Sequence, residues 1–305
     1  MSRPRLAALL LAVVVLVLLV GGIGRAEATA AKPKPAFPVT IKAANGAVTI
    51  PKRPTRIVSL SPTATEDLFA VGAGRQVVAV DELSNFPKRA PKTSLSGYQP
   101  NVEAIAGYRP DLVIVRSQAG VAELEKLGIR VVQLPEAANL AQAYLQLRQV
   151  GRATGHARAG ERVVTWMRAR IRAELRSIQG RSGRLSVYHE LTTDYYSASS
   201  RTFIGQIYKL LGLKNIADAA PGGGAYPQLS GEYIVASSPD LIVLADSKCC
   251  GQSYATAAAR PGWSTIDAVE NRRVIAMDDD VASRWGPRVV AFVRAVAAQV
   301  RRAQT

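Results

Sequence analysis

The chain of 305 residues is long enough for two lobes that each bury a core. Hydrophobic residues at 48% against charged residues at 20% exclude a disordered chain. With 39 Lys and Arg against 23 Asp and Glu the formal net charge is +16. The basic residues are dispersed and no nucleic-acid module accompanies them, so nucleic acid is not an expected partner; the surplus suits an anionic membrane or wall surface.

Arg3 and Arg5 precede an apolar run over 6–23, followed by the small residues of Ala26-Glu27-Ala28 and Ala28-Thr29-Ala30. These are the basic, apolar and small-residue regions of an export signal spanning 1–30, with cleavage expected after Ala28 or Ala30. An uncleaved N-terminal anchor is the alternative. No other stretch is apolar enough to cross a membrane, so the mature protein is expected outside the cytoplasm. The only cysteines, Cys249 and Cys250, are not where a bacterial lipoprotein is lipidated.

Residues 31–54 read as a proline-rich tether and a small hairpin, with strands flanking Asn45-Gly46. The next stretch, 55–152, carries apolar runs at 56–60, 77–80, 112–115 and 129–134 separated by helical segments, the first helix opening at Ser61-Pro62. Strands that are apolar throughout and alternate with helices predict a parallel sheet covered on both faces. Over 153–180 the residues Val164, Met167, Ile171, Leu175 and Ile178 recur three to four apart, predicting one amphipathic helix about 30 Å long. A second α/β lobe over 181–305 has strands expected at 184–189, 241–244 and 274–277 and a closing helix from about Pro287. The predicted fold class is α/β, with two Rossmann-like lobes joined by one long rigid helix.

A motif occurs once in each lobe. Asn101-Val102-Glu103 leads to Pro110-Asp111-Leu112-Val113-Ile114, and Ser230-Gly231-Glu232 leads to Pro239-Asp240-Leu241-Ile242-Val243, in register at an offset of 129. Each copy reads as a polar cap, a short helix with Glu at its second position, a turn and a buried strand. A glutamate in a first helical turn is favoured by the helix dipole by about 0.3–1 kcal/mol, which explains either residue alone. As a pair, one per lobe, they would suit docking on a two-fold partner.

These stretches resemble the solute-binding proteins that carry vitamin B12, ferric siderophores and haem to ABC importers. The resemblance runs from about Arg56 to Ala298 and rests also on Arg56-Ile57-Val58-Ser59-Leu60-Ser61-Pro62, Tyr226-Pro227-Gln228-Leu229-Ser230-Gly231-Glu232 and Arg284-Trp285-Gly286-Pro287-Arg288. It implies a monomer that is not an enzyme and has no cofactor of its own. It also implies a metal chelate such as cobalamin or a ferric siderophore held between the lobes, and as partner an ABC permease dimer with its ATPase subunits. In that family the glutamates matching Glu103 and Glu232 pair with arginines of the permease. The resemblance puts Phe86, Tyr98, Tyr226, Asp280 and Arg284 near the cleft, while Gly97 and Arg116 stand where the vitamin B12 branch has tryptophans. An arginine at 116 suits an anionic chelate. Glu66, near the same end of its lobe, is expected to form a capping box with Thr63.

Two histidines are too few for a bare transition-metal site. His156 is expected at a helix junction, and His189, ending a strand beside Glu190, is a candidate for the cleft lining. Cys249-Cys250 reads as a ring disulfide or as two thiols; it follows a strand at its cleft-facing end, where a ligand-contacting loop is expected. Asp278-Asp279-Asp280 reads as a solvated turn. Nucleophile-elbow and phosphate-loop motifs are absent; the enzyme alternative is a two-lobed extracellular α/β enzyme such as a glycosyltransferase.

Overall fold

A computed structural model describes residues 36–180, 183 and 185–303. The expected export segment, all but the end of the tether, and Arg184 of the expected strand lie outside the described residues. Among the described residues no helix is long and apolar enough to cross a membrane.

The chain opens with an antiparallel hairpin of β1 (Val39–Ala43) and β2 (Gly46–Ile50). The N-terminal lobe follows with β3 (Ile57–Leu60), α1 (Pro62–Ala70), β4 (Val77–Val80), α2 (Val102–Gly107), β5 (Leu112–Val115), α3 (Val121–Lys126), β6 (Val131–Gln133) and α4 (Leu140–Ala153). Its strands form one parallel sheet in the order β4-β3-β5-β6. Helices cover both faces, so β3 and β5 are buried at every position. Asn45, in the hairpin turn, donates to the Val131 carbonyl at 2.9 Å and accepts from the Gln133 amide at 3.0 Å, fastening the hairpin to the edge strand β6.

The long amphipathic segment is α5 (Ala157–Ser177), whose buried face is Gly160, Val164, Met167 and Ile171. It packs against α4 at two glycines: a Cβ on Gly151 would lie 3.3 Å from the Gly160 Cα, so the two backbones approach as only glycine permits. The C-terminal lobe has β7 (Ser186–Glu190), α6 (Phe203–Leu210), β8 (Lys214–Asn215), α7 (Gly231–Ser237), β9 (Leu241–Leu244), α8 (Ser247–Cys250), α9 (Tyr254–Ala258), α10 (Asp267–Glu270), β10 (Val274–Ala276), α11 (Asp279–Ser283) and α12 (Val289–Arg302). Its sheet is also parallel, in the order β10-β9-β7-β8. The edge strand β8 has only two residues and no apolar run, which is why the sequence reading lacks it. One apolar core continues from Leu68 and Ile114 through Met167 and Ile171 to Phe292 and Val296, so α5 is shared by both lobes.

The repeated motif is the same local structure twice. Asn101 caps α2 by accepting from Ala104 N at 2.9 Å, and Ser230 caps α7 by accepting from Tyr233 N at 3.1 Å. Ile105 and Ile234 are the buried anchors of the two helices. Both copies then turn through a positive φ, at Arg109 (48°) and Ser238 (36°), into Pro-Asp. The aspartates clamp the first strand of their lobe: Asp111 Oδ2 accepts from Thr55 N and Oγ1 at 2.8 and 3.0 Å, and Asp240 Oδ2 from Ser186 N and Oγ at 2.7 and 2.8 Å. Asp240→Ala strands the Ser186 donors and should lower unfolding free energy by about 1–3 kcal/mol in urea titration. Asp240→Asn, which keeps an acceptor, should lower it less.

Candidate functional site

The loops beyond the carboxyl ends of both sheets meet at a junction between the lobes, where Asn85 Nδ2 donates to Asp280 Oδ2 at 2.7 Å; open α/β sheets receive ligands at such ends. The floor of this junction is an ionic cluster bridging the lobes. Glu66, in α1 and 3% exposed, accepts from Arg284 Nη1 at 3.0 Å and from Arg288 Nη2 and Nε at 2.6 and 3.0 Å. Ser61, not Thr63, provides the side-chain cap of α1, so the expected capping box is replaced by a lobe-to-lobe ion pair. Arg284 is buried and its terminal nitrogens are fully engaged, also reaching Asn85 Oδ1, the Leu83 carbonyl and Asp280 Oδ1. It acts as a brace between protein groups rather than presenting its guanidinium to the cleft.

Asp280 also receives Lys248 Nζ and Asn85 Nδ2, each at 2.7 Å. Burial alone would raise its carboxyl, but these donors and Arg284 hold it below the usual aspartate range. The expected solvated turn at Asp278-Asp279-Asp280 is therefore a working cluster. Asp278 caps α11, and Asp279 accepts from Lys248 N and Cys249 N at 2.8 Å each. That contact seats α8, where Cys249 and Cys250 are joined in a disulfide, choosing between the two states the sequence left open.

Three exposed aromatic residues, Phe86, Tyr98 and Tyr226, lie at the rim. Phe86 is 42% exposed beneath the Arg288 guanidinium, 4.4 Å from its ring centre. Tyr98 is 59% exposed with Arg116 stacked over it at 4.8 Å. From the other lobe, Tyr226 donates to Glu136 Oε1 at 2.8 Å; burial and then Glu136 push its hydroxyl well up, while the nearby Arg116 opposes the shift. The structure thus brings Tyr98, Arg116 and Tyr226 together across the opening. Position 97 cannot join them with a side chain, because a Cβ there would meet the Leu60 carbonyl at 2.9 Å and Asp81 Oδ2 at 3.2 Å.

His189 is a correction. It lies fully buried in β7, its Nδ1 2.6 Å from the Tyr208 hydroxyl and its ring edge-on to Phe292, and burial drives it down to about 3. It is a neutral core residue, because its side of β7 is covered by Tyr208 and Phe292. His156 does sit at the α4–α5 junction, where Nδ1 meets Thr154 Oγ1 and Nε2 meets Arg53.

Three charged groups at the strand ends escaped the sequence reading. Asp81, directly after β4, lines a cavity of about 450 Å³ under the Phe86 loop and a smaller one beside Tyr98 and Arg116. Burial raises it to about 6 against hydrogen bonds from Ser84 and Leu83. In the other lobe Glu190 is fully buried and paired with Arg260 at 2.5 and 2.6 Å, while Asp246, after β9, is raised to about 7 by burial and then by Glu190. Their signal was position alone: an acid ending a buried strand, or one or two places beyond it. Among the described residues no cluster of three or more His, Cys, Asp or Glu is arranged to hold a metal.

A periplasmic binding protein family model matches residues 57–281. The chain belongs to that family. It is 31% identical over 310 residues to an ABC transporter substrate-binding lipoprotein, YvrC, of Bacillus subtilis, covering 96% of this chain and 95% of the relative. A cobalamin-binding protein of Halobacterium salinarum is 33% identical over 267 residues, covering 83% and 72%. Among solved structures, the periplasmic heme-binding protein RhuT from Roseiflexus superposes with a TM-score of 0.70 at 27% identity, covering 82% of this chain and 99% of that one. These similarities establish the two-lobed α/β architecture and place the chain among solute-binding proteins that act outside the cytoplasm.

Two predictions follow from the buried acids. Glu66→Ala leaves Arg288 without its ion-pair partner and Arg284 with Asp280 alone, and should cost about 3–5 kcal/mol of unfolding free energy. Asp246 stays neutral in the folded protein up to about pH 7 but ionises near 3.8 when unfolded. Its stabilising contribution is therefore complete below about pH 4 and is lost as pH rises to about 7. Asp67 and Asp81 shift in the same direction, so the Asp246 share is the difference between wild type and Asp246→Asn. Wild type should lose roughly 1–3 kcal/mol relative to the variant across that window in urea titrations.

Proposed function

We propose that this protein captures a metal chelate, cobalamin or a ferric siderophore, in the interlobe cleft and delivers it to an ABC permease dimer through Glu103 and Glu232. The observation that carries the delivery reading is their equivalence: both are exposed at the second position of short helices built alike in the two lobes. The first turn of α7 holds Glu232 below the usual carboxylate range, through backbone and Ser230 hydrogen bonds, so it stays anionic for a cationic partner. Exposed single pairs are weak, but two at fixed spacing orient docking.

For the cargo, the relative named for cobalamin supports a corrin. The rim supports a bulky planar or anionic chelate, since Tyr98, Phe86 and Tyr226 offer ring faces and Arg116 an adjacent cation. Delivery by a monomer to a permease with its ATPase subunits belongs to the same reading. The enzyme alternative finds no support in the site geometry or in these similarities.

Cobalamin, haem and several ferric siderophores should be compared by thermal shift; one class should raise the melting temperature saturably, and stabilisation by none would overturn the cargo reading. Reversing both docking residues, Glu103→Arg with Glu232→Arg, should cut uptake at least roughly tenfold while ligand affinity stays within about twofold. Loss of affinity instead would move both glutamates into the cleft.

A further inference from the structure

The outward face of α5 takes no part in the cleft or in the paired glutamates. Arg158, Arg162, Trp166, Ala169, Ala173 and Arg176 succeed one another at three- and four-residue steps, opposite the buried Val164, Met167 and Ile171, and all six are exposed. Arg170 and Arg172 flank this stripe and are exposed as well. We propose that this face is a peripheral docking surface for a bilayer rich in anionic phospholipid.

The charge on the stripe is uncompensated. The two acids of α5 are already engaged, Glu161 with Arg148 at 2.9 Å and Glu174 with Arg294 and Arg301 at 3.4 and 3.2 Å. Among the described residues Arg158, Arg162, Arg170, Arg172 and Arg176 form no ion pair. From Arg158 to Arg176 the stripe runs about 27 Å along a straight helix, so its charges can meet a flat surface together. Each guanidinium that reaches an anionic lipid surface adds to the attraction, which several acting at once make appreciable.

Trp166 decides between a bilayer and a soluble polyanion. Its indole is 45% exposed among arginines, whereas Trp263 and Trp285 are buried. A phosphate polymer needs only the cations, but a bilayer interface also rewards an amphipathic ring at headgroup depth. Ala169 and Ala173, a turn and two turns on, place no long side chain on the same stripe beside it. The surface also gives a role to part of the +16 net charge, which the cleft and the docking glutamates do not use.

The test uses the chain from Ala31, the form left by the expected cleavage, since the whole described core lies within 36–303. It should co-sediment with phosphatidylcholine vesicles containing phosphatidylglycerol and not with phosphatidylcholine alone, and added salt should release it. Tryptophan emission should shift to the blue on binding, and Trp166→Phe should abolish the shift. Reversing Arg158, Arg162 and Arg176 to Glu should weaken binding at least about tenfold. Reversing the exposed Lys52, Lys126 and Arg201 to Glu, an equal change in net charge, should weaken it less than about threefold. Equal loss in both triple variants, equal binding to neutral vesicles, or tighter retention by soluble polyphosphate than by vesicles would each overturn the proposal. Unchanged melting temperatures of the variants separate loss of docking from loss of fold.

Discussion

A single buried carboxylate holds the two halves of this molecule in register. Glu66 is provided by the first helix of the N-terminal lobe, and both guanidiniums that neutralise it come from residues more than two hundred positions later. Removed from water alone, any one of the three would be costly; together they satisfy one another and fix the helix starts around them. Asn85, Asp280 and Lys248 extend the same network, so the loop carrying Phe86 and the helix carrying the disulfide are both referred to one ionic centre. The shared apolar core along α5 closes the junction from the other side.

Much of this was legible in the sequence, and for identifiable reasons. Apolar runs such as Leu112–Val115 and Leu241–Leu244, short, rich in Val and Ile and opened by Pro-Asp, read as strands buried on both faces, and the spacing of Val164, Met167 and Ile171 reads as one helix. The repeat at an offset of 129 exposed the pseudo-symmetry, although its aspartates proved to be strand clamps as well as turn residues. What escaped was contact between distant positions. Thr63-x-x-Glu66 imitates a local capping box, and nothing nearby in the chain announces Arg284 or Arg288 as its partners. His189 was misplaced for a related reason: a polar residue ending a strand looks like a site residue unless its side of the sheet is known.

The site separates into two layers with different chemistry. The deep layer, Glu66, Arg284, Arg288 and Asp280, is saturated by protein partners and sets geometry. The outer layer is the exposed Phe86, Tyr98 and Tyr226 with the half-buried Arg116, all only lightly engaged.

The crowded backbone at Gly97 restricts how that rim can vary. With the Leu60 carbonyl 2.9 Å from where a side chain would begin, substitution at 97 requires the end of β3 itself to move. On the reading proposed above, changes in solute preference by point mutation would be channelled to side chains that already project, at 86, 98, 116 and 226. A lineage that needed an aromatic wall at 97 would first have to rebuild the strand end, so the set of solutes within one mutational step of this protein is bounded by its backbone before any side chain is chosen.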